Sequence, residues 1–173
     1  FEQIYRVVQA LRSGGDFTIT LPSGKVYAIR RGSEFRIAKK KQLPEVEPVE
    51  IELKVPGRTQ IPQIGLVIEA ERIESPQPKK SSPDVVLIPE DAITGTLRIR
   101  SVRPGDRIIP FGMHESKKLQ DVFVDKKVPR ARRALAGVVV DDEKILWVVG
   151  VVASEATRVT ERTHRAIRLA AIR

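Results

Sequence analysis

Apolar residues recur every three or four positions at the start of the chain, at Phe1, Ile4, Tyr5, Val7, Val8 and Leu11. That spacing lines one face of a helix. Gly14-Gly15 supplies its stop, because glycine accepts the left-handed backbone that closes a last turn. The period then changes from helical to alternating. Residues 17–21 and 25–30 place apolar and polar side chains on opposite faces around Pro22-Ser23-Gly24, the pattern of a β-hairpin. Residues 34–38, 49–55 and 66–73 alternate in the same way and predict half-exposed strands, with Pro44, Pro48 and Pro56 as punctuation. Residues 75–83 are polar and proline-rich and read as a loop or linker; residues 84–88 predict one more short strand.

A second stretch begins near Gly95. Leu97 and Ile99 share one face of a predicted strand and Arg98 and Arg100 the other, and Pro104-Gly105-Asp106 predicts a turn. Ser116 is placed to cap a helix whose inner face is Leu119, Val122 and Phe123, leaving Lys117, Lys118, Lys126 and Lys127 toward solvent. Pro129 is expected to end it. Residues 138–140 and 145–152, joined across Asp141-Asp142-Glu143-Lys144, make the most hydrophobic hairpin of the chain. A near-continuous apolar run is buried on both faces, so Trp147 belongs in the core with Leu146 or Val148. Residues 165–172 alternate again and close the chain as a strand. The expected fold class is α+β: mostly antiparallel strands, an N-terminal helix and one or two further short helices. Two small units are expected, 1–94 (with 75–83 linker-like) and 95–173.

At 173 residues the chain is long enough to bury a real core. No apolar run approaches the ~20 residues of a membrane span, so no membrane partner is expected. The absence of cysteine excludes disulfides and thiolate metal sites and fits a reducing, cytoplasmic setting. Phe1 in place of an initiator methionine is read as the sign of a piece of a longer protein. Charge adds a sharper feature. The whole chain carries +9, yet between Arg98 and Arg133 eleven Lys/Arg face only four Asp/Glu, a surplus of seven. These cations alternate with apolar residues as a folded element requires, unlike a disordered basic tail. A folded surface facing a polyanion follows.

Catalytic chemistry is harder to place. His114 and His164 lie far apart with no serine or carboxylate partner pattern, and no metal-ligand spacing or phosphate loop is present. Asp141-Asp142 reads as hairpin-turn chemistry, and Ser13-Gly14-Gly15-Asp16 as a helix end, since a phosphate-cradling loop follows a strand and opens a helix. Taken alone, the chain is expected to be catalytically inactive.

The block Leu97-Arg98-Ile99-Arg100-Ser101-Val102-Arg103-Pro104-Gly105-Asp106-Arg107 is followed in order by several others. They are Pro110-Phe111-Gly112-Met113, Lys117-Lys118-Leu119, Lys127-Val128-Pro129-Arg130 and Ile145-Leu146-Trp147-Val148-Val149-Gly150, then a closing strand after Thr163. Together they resemble the C-terminal region of the tRNA(Ile)-lysidine synthetase family. A helix followed by a Leu-Pro-x-Gly hairpin, as in residues 1–30, also occurs just upstream in longer members. The resemblance implies a ligase that uses ATP, with magnesium, to join lysine to the wobble cytidine of an isoleucine tRNA. That catalysis belongs to an N-terminal domain with an ATP loop that has no counterpart here. The part at hand would hold the body and acceptor end of the isoleucine tRNA, with that catalytic domain as its other partner and no cofactor of its own.

Candidate tRNA-binding residues are Arg98, Arg100, Arg103, Arg107, Lys117, Lys118, Lys126, Lys127 and Arg130. Guanidinium forks fit phosphate geometry, and structured RNA is read largely through phosphates and 2′-hydroxyls. For any single arginine the other reading is a solvated charge or a pair with Asp106 or Asp121; Arg103 and Asp106, flanking a tight turn, also fit a structural role. Aromatic scarcity argues against a single-strand stacking platform. The rival function is a basic, non-catalytic module that docks on a protein.

Overall fold

In the computed structural model, which describes residues 2–13, 17–20, 26–31, 33–39, 48–77 and 82–172, the helix-spaced residues at the N-terminus form α1 (Glu2–Ser13). Two compact units are present, Phe1–Glu45 and Val46–Arg173. In the first, β1 (Phe17–Thr20), β2 (Val26–Arg31) and β3 (Glu34–Lys39) form an antiparallel sheet in chain order. Val7 and Ala28 are buried, whereas Tyr5 and Val8 stay exposed. The Arg30 guanidinium donates to the carbonyl of Leu11 at 2.9 Å. The glycine helix stop and the Pro22-Ser23-Gly24 turn lie outside the described residues.

The second unit opens with β4 (Glu50–Glu52), β5 (Gly57–Ile61), β6 (Leu66–Glu74) and β7 (Val85–Pro89). It continues with β8 (Arg98–Ser101), β9 (Arg107–Ile108), β10 (Lys117–Lys118), α2 (Leu119–Asp125) and the single turn α3 (Arg130–Arg133). The last strands are β11 (Gly137–Val140), β12 (Ile145–Val148), β13 (Val152–Ala153) and β14 (Arg165–Ile172). A five-stranded sheet runs β13-β12-β11-β8-β4 and a four-stranded sheet runs β5-β6-β14-β7, every pairing antiparallel. Strands from either side of residue 94 therefore share both sheets. The fold is α+β, dominated by antiparallel sheet with few helices. No helix among the described residues is long and apolar enough to cross a membrane.

The apolar run at β11 and β12 is explained by what covers it. On one face Val139, Leu146 and Trp147 join Ile61, Ile68, Ile88 and Leu169 of the four-stranded sheet. On the other, Val138, Val140, Ile145 and Val148 meet Ile108 and the inner face of α2, Leu119, Val122 and Phe123. Trp147 is only 1% exposed, and a strand pair covered on both faces has no room for polar alternation.

Three local expectations are corrected. Ser116 does not cap α2: Lys117 and Lys118 pair with β9 as strand, so the helix starts at Leu119, whose N–H reaches the carbonyl of Asp106 at 2.8 Å. Pro129 does not end α2 either. Lys127 takes a left-handed φ of 54°, while the N–H groups of Lys127 and Val128 return to the carbonyls of Val124 and Phe123, the paired closure usually built on glycine. Pro129 instead opens α3, its carbonyl accepting from the N–H of Arg132 at 2.9 Å. Finally, residues 145–152 are not one strand: the chain turns at Val149–Val151, where Gly150 has φ 74°, and β13 folds back on β12.

Candidate nucleic-acid interface

Strand alternation puts Arg98 and Arg100 on one face of β8, and that face is furnished with acids. Arg100 is 8% exposed. Its two terminal nitrogens donate to the two carboxylate oxygens of Asp106 at 2.9 Å each, and one donates to the Ser101 carbonyl at 2.9 Å. Asp106 also accepts from the N–H of Arg103 at 2.8 Å. Burial alone would raise the Asp106 carboxyl. The Arg100 hydrogen bonds, the Arg103 N–H and the charges of both arginines outweigh it and hold the group below the ordinary carboxylate value. Arg-Pro-Gly-Asp therefore closes a turn whose aspartate locks a buried guanidinium.

The neighbouring cations are also held by the fold, Arg98, Arg103 and Lys117 by carboxylates and Arg107 by a serine. Arg98 lies 2.5 Å from Asp142 and 3.4 Å from Glu50, and Glu50 also takes the exposed Arg103. Arg107 donates to the hydroxyl and carbonyl of Ser116 at 3.0 and 2.8 Å. Lys117 pairs with Asp125 at the far end of α2. The structure thus brings Arg98, Arg100, Arg103 and Lys117 into contacts with carboxylates of the fold.

Lys118, Lys126, Lys127 and Arg130 are different. All four are exposed, as is Arg132, and none of the five has an ion-pair partner among the described residues. They lie at the two ends of α2 and along α3, a ridge anchored to the core by Leu119, Val122 and Phe123. Two grooves flank this ridge. One, of about 560 Å³, is lined by Lys126, Lys127 and Arg132 together with apolar residues including Leu66 and Val151, and by no acid among the described residues. The other, of about 380 Å³, carries Arg103, Lys118 and Arg133, and among the described residues its one acid is the Asp106 already engaged by Arg100. Cations lining grooves with apolar walls focus positive potential into those grooves. Arg132 was not singled out from sequence; the signal available was the Arg130-Ala131-Arg132-Arg133 run just after Pro129.

Elsewhere the polar residues serve the fold. Asp141, inside the β11–β12 turn, accepts from the N–H groups of Thr94, Glu143 and Lys144 and from the Lys144 ammonium. Burial would raise its carboxyl, and these donors hold it below the ordinary value. His114 and His164 are exposed and far apart in the chain. Among the described residues no three His, Asp or Glu side chains converge to hold a metal ion. Gly14-Gly15-Asp16 lies outside the described residues.

Residues 97–169 match the family model described as the TilS substrate C-terminal domain. The crystal structure of a TilS C-terminal domain aligns with a TM-score of 0.64 at 31% identity, covering 72% of this chain and 96% of that one. The chain belongs to the tRNA(Ile)-lysidine synthase C-terminal domain family. The tRNA(Ile)-lysidine synthase of Symbiobacterium thermophilum is 35% identical over 167 residues, 91% of this chain and 34% of the relative. That of Caldanaerobacter subterraneus subsp. tengcongensis is 31% identical over 147 residues, 83% of this chain and 31% of the relative. The chain spans about a third of the length of these curated relatives. The lysidine-synthase family match opens just before β8 and ends within β14. It contains the Arg100–Asp106 lock and the whole α2–α3 ridge.

Proposed function

We propose that this chain is the tRNA-holding C-terminal portion of a tRNA(Ile)-lysidine synthase, gripping tRNA by its phosphates along the α2–α3 ridge. The observation that carries the reading is a set of five exposed cations with no ion-pair partner among the described residues, Lys118, Lys126, Lys127, Arg130 and Arg132, inside the segment shared with the family. Phosphate contacts set position and orientation without reading sequence, which is what a holding domain needs. In this reading the lysine transfer to the wobble cytidine, with ATP and magnesium, belongs to an N-terminal catalytic domain working in the cytoplasm. The body and acceptor end of the isoleucine tRNA rest on this portion. Arg100 is not counted among the contacts, because its guanidinium is committed to Asp106. Arg98, Arg103 and Lys117 stay at the margin, each already held by a carboxylate.

The test is an electrophoretic titration of an unmodified isoleucine tRNA transcript with the isolated chain. A single shifted complex that weakens as salt rises is expected. The absence of any complex at low salt would pass the lead to the protein-docking reading. The same chain should show no saturable ATP binding by calorimetry.

A further inference from the structure

Residues 46–173 contain three aromatic side chains, Phe111, Phe123 and Trp147. Phe123 and Trp147 are 2% and 1% exposed, core residues in the ordinary sense, whereas Phe111 is 46% exposed. Its surroundings are not those of a loose loop. The Phe111 N–H donates to the Ala153 carbonyl at 2.9 Å and the Glu155 N–H to the Ile109 carbonyl at 2.8 Å. The Glu155 carboxylate accepts from the Gly112 N–H at 2.6 Å and takes a two-point contact from Arg158. The Arg158 guanidinium in turn lies 4.5 Å from the centre of the Phe111 ring. Glu155 therefore ties two connections into one platform with an aromatic ring and a planar cation stacked on it. The Arg158 hydrogen bond and then the Gly112 N–H hold its carboxyl below the ordinary value, so the clamp stays charged at neutral pH.

This platform borders a groove of about 570 Å³ on the side of the four-stranded sheet. Ile73, Val85 and Leu87 give the groove apolar walls, and Arg158 and Arg168 line it as well. Among the described residues no carboxylate lines it; the acids that pair with these arginines, Glu155 and Glu71, lie outside it. The volume is within the range that admits one small ligand. A planar π-face with a guanidinium stacked on it, beside apolar walls, is complementary to a flat aromatic ring such as a nucleobase.

We propose that this groove receives one unpaired nucleotide of the bound RNA, its base stacked on the Phe111–Arg158 platform. The proposal rests on the RNA-holding reading and adds a base-stacking subsite away from the phosphate-gripping ridge. Stacking tolerates any base, since every base has a π-face, so the subsite recognises an unpaired nucleotide and not a sequence.

Fluorescence anisotropy with two probes tests it: a tRNA transcript, which has unpaired nucleotides, and a blunt RNA duplex of similar length, which has none. Phe111→Ala should weaken the transcript by roughly 5- to 150-fold, the range carried by stacking one base, and leave the duplex unchanged. The slope of log affinity against log salt should not move, because stacking releases no counterion. Phe111→Leu, which keeps the apolar volume and the fold, should show the same loss. If both variants bind both probes as wild type does, or lose both equally, the subsite is overturned while the RNA-holding reading stands, and the groove falls to an apolar peptide. If the wild type binds neither probe at low salt, the RNA-holding reading itself fails.

Discussion

Arg100 is the residue at which a binding role and a structural role predict opposite outcomes. Its side chain and that of Asp106 are 9% and 10% exposed, and the guanidinium makes three hydrogen bonds of 2.9 Å, two to Asp106 and one to the Ser101 carbonyl. Arg100→Ala removes all three and leaves the carboxylate with the Arg103 N–H as its remaining donor. Breaking a buried pair from one side costs ~3–5 kcal/mol, because the other charge is stranded. The retained N–H puts this case at the lower end, about 3 kcal/mol. In a chain of this length that corresponds to a fall in Tm of roughly 6–12 °C. Thermal unfolding followed by fluorescence of Trp147, in the same unit, measures that shift directly. Below the transition, the folded variant should bind tRNA with the salt dependence of wild type. A midpoint within about 1 °C of wild type, together with lost tRNA binding, would refute the lock and return Arg100 to the RNA face.

Lys127 occupies a left-handed position that favours glycine, so Lys127→Gly should raise stability by about 0.5–1 kcal/mol while weakening tRNA binding; urea melts and anisotropy on the same sample check both signs. Trp147→Ala opens a cavity between the two sheets and should cost ~3–5 kcal/mol, read by chemical denaturation followed by circular dichroism. Asp106 and Asp141 have folded pKa values below the ordinary 3.8, so the unfolded chain takes up their protons first. Their stabilisation is complete above that value and is lost as pH falls through the folded values. Thermal midpoints should drop steeply below about pH 4, and the double variant Asp106→Asn, Asp141→Asn should show a flatter profile.

Much of this fold was legible because its signals are local. The stripe of α1, the alternation of β2 and β3, the inner face of α2 and the doubly buried run around Trp147 each follow from spacing within a few residues. β5 was missed because Gly57-Arg58-Thr59-Gln60-Ile61 buries only Thr59 and Ile61. The pairing of charges was legible only in part: Asp106 stood out as a possible partner for an arginine, but not which arginine, nor the other partners. Arg98 and Arg100 alternate correctly with Leu97 and Ile99, yet what they face arrives from elsewhere: Glu50 from β4, Asp142 from the β11–β12 turn, and Asp106 from a turn that doubles back. Likewise nothing in the pair Lys117-Lys118 says that the first meets Asp125 and the second meets none. The surplus of positive charge was visible in the sequence, but which cations stay unanswered is a property of the packed structure. Phe111 escaped notice for a related reason, since its platform is assembled with Arg158 from a distant connection.

The central claim is that unpaired cations hold the RNA and paired ones hold the fold, and salt titration of tRNA binding separates them. Log affinity against log salt is measured for wild type and two variants: Lys126→Ala, Lys127→Ala, Arg130→Ala, Arg132→Ala, and Arg98→Ala, Arg103→Ala, Lys117→Ala. Each phosphate contact contributes about 0.7–0.9 to the slope, so the first variant should be shallower by about 3 and the second close to wild type. A wild-type slope in the ridge variant, or the larger loss in the paired set, would contradict the account.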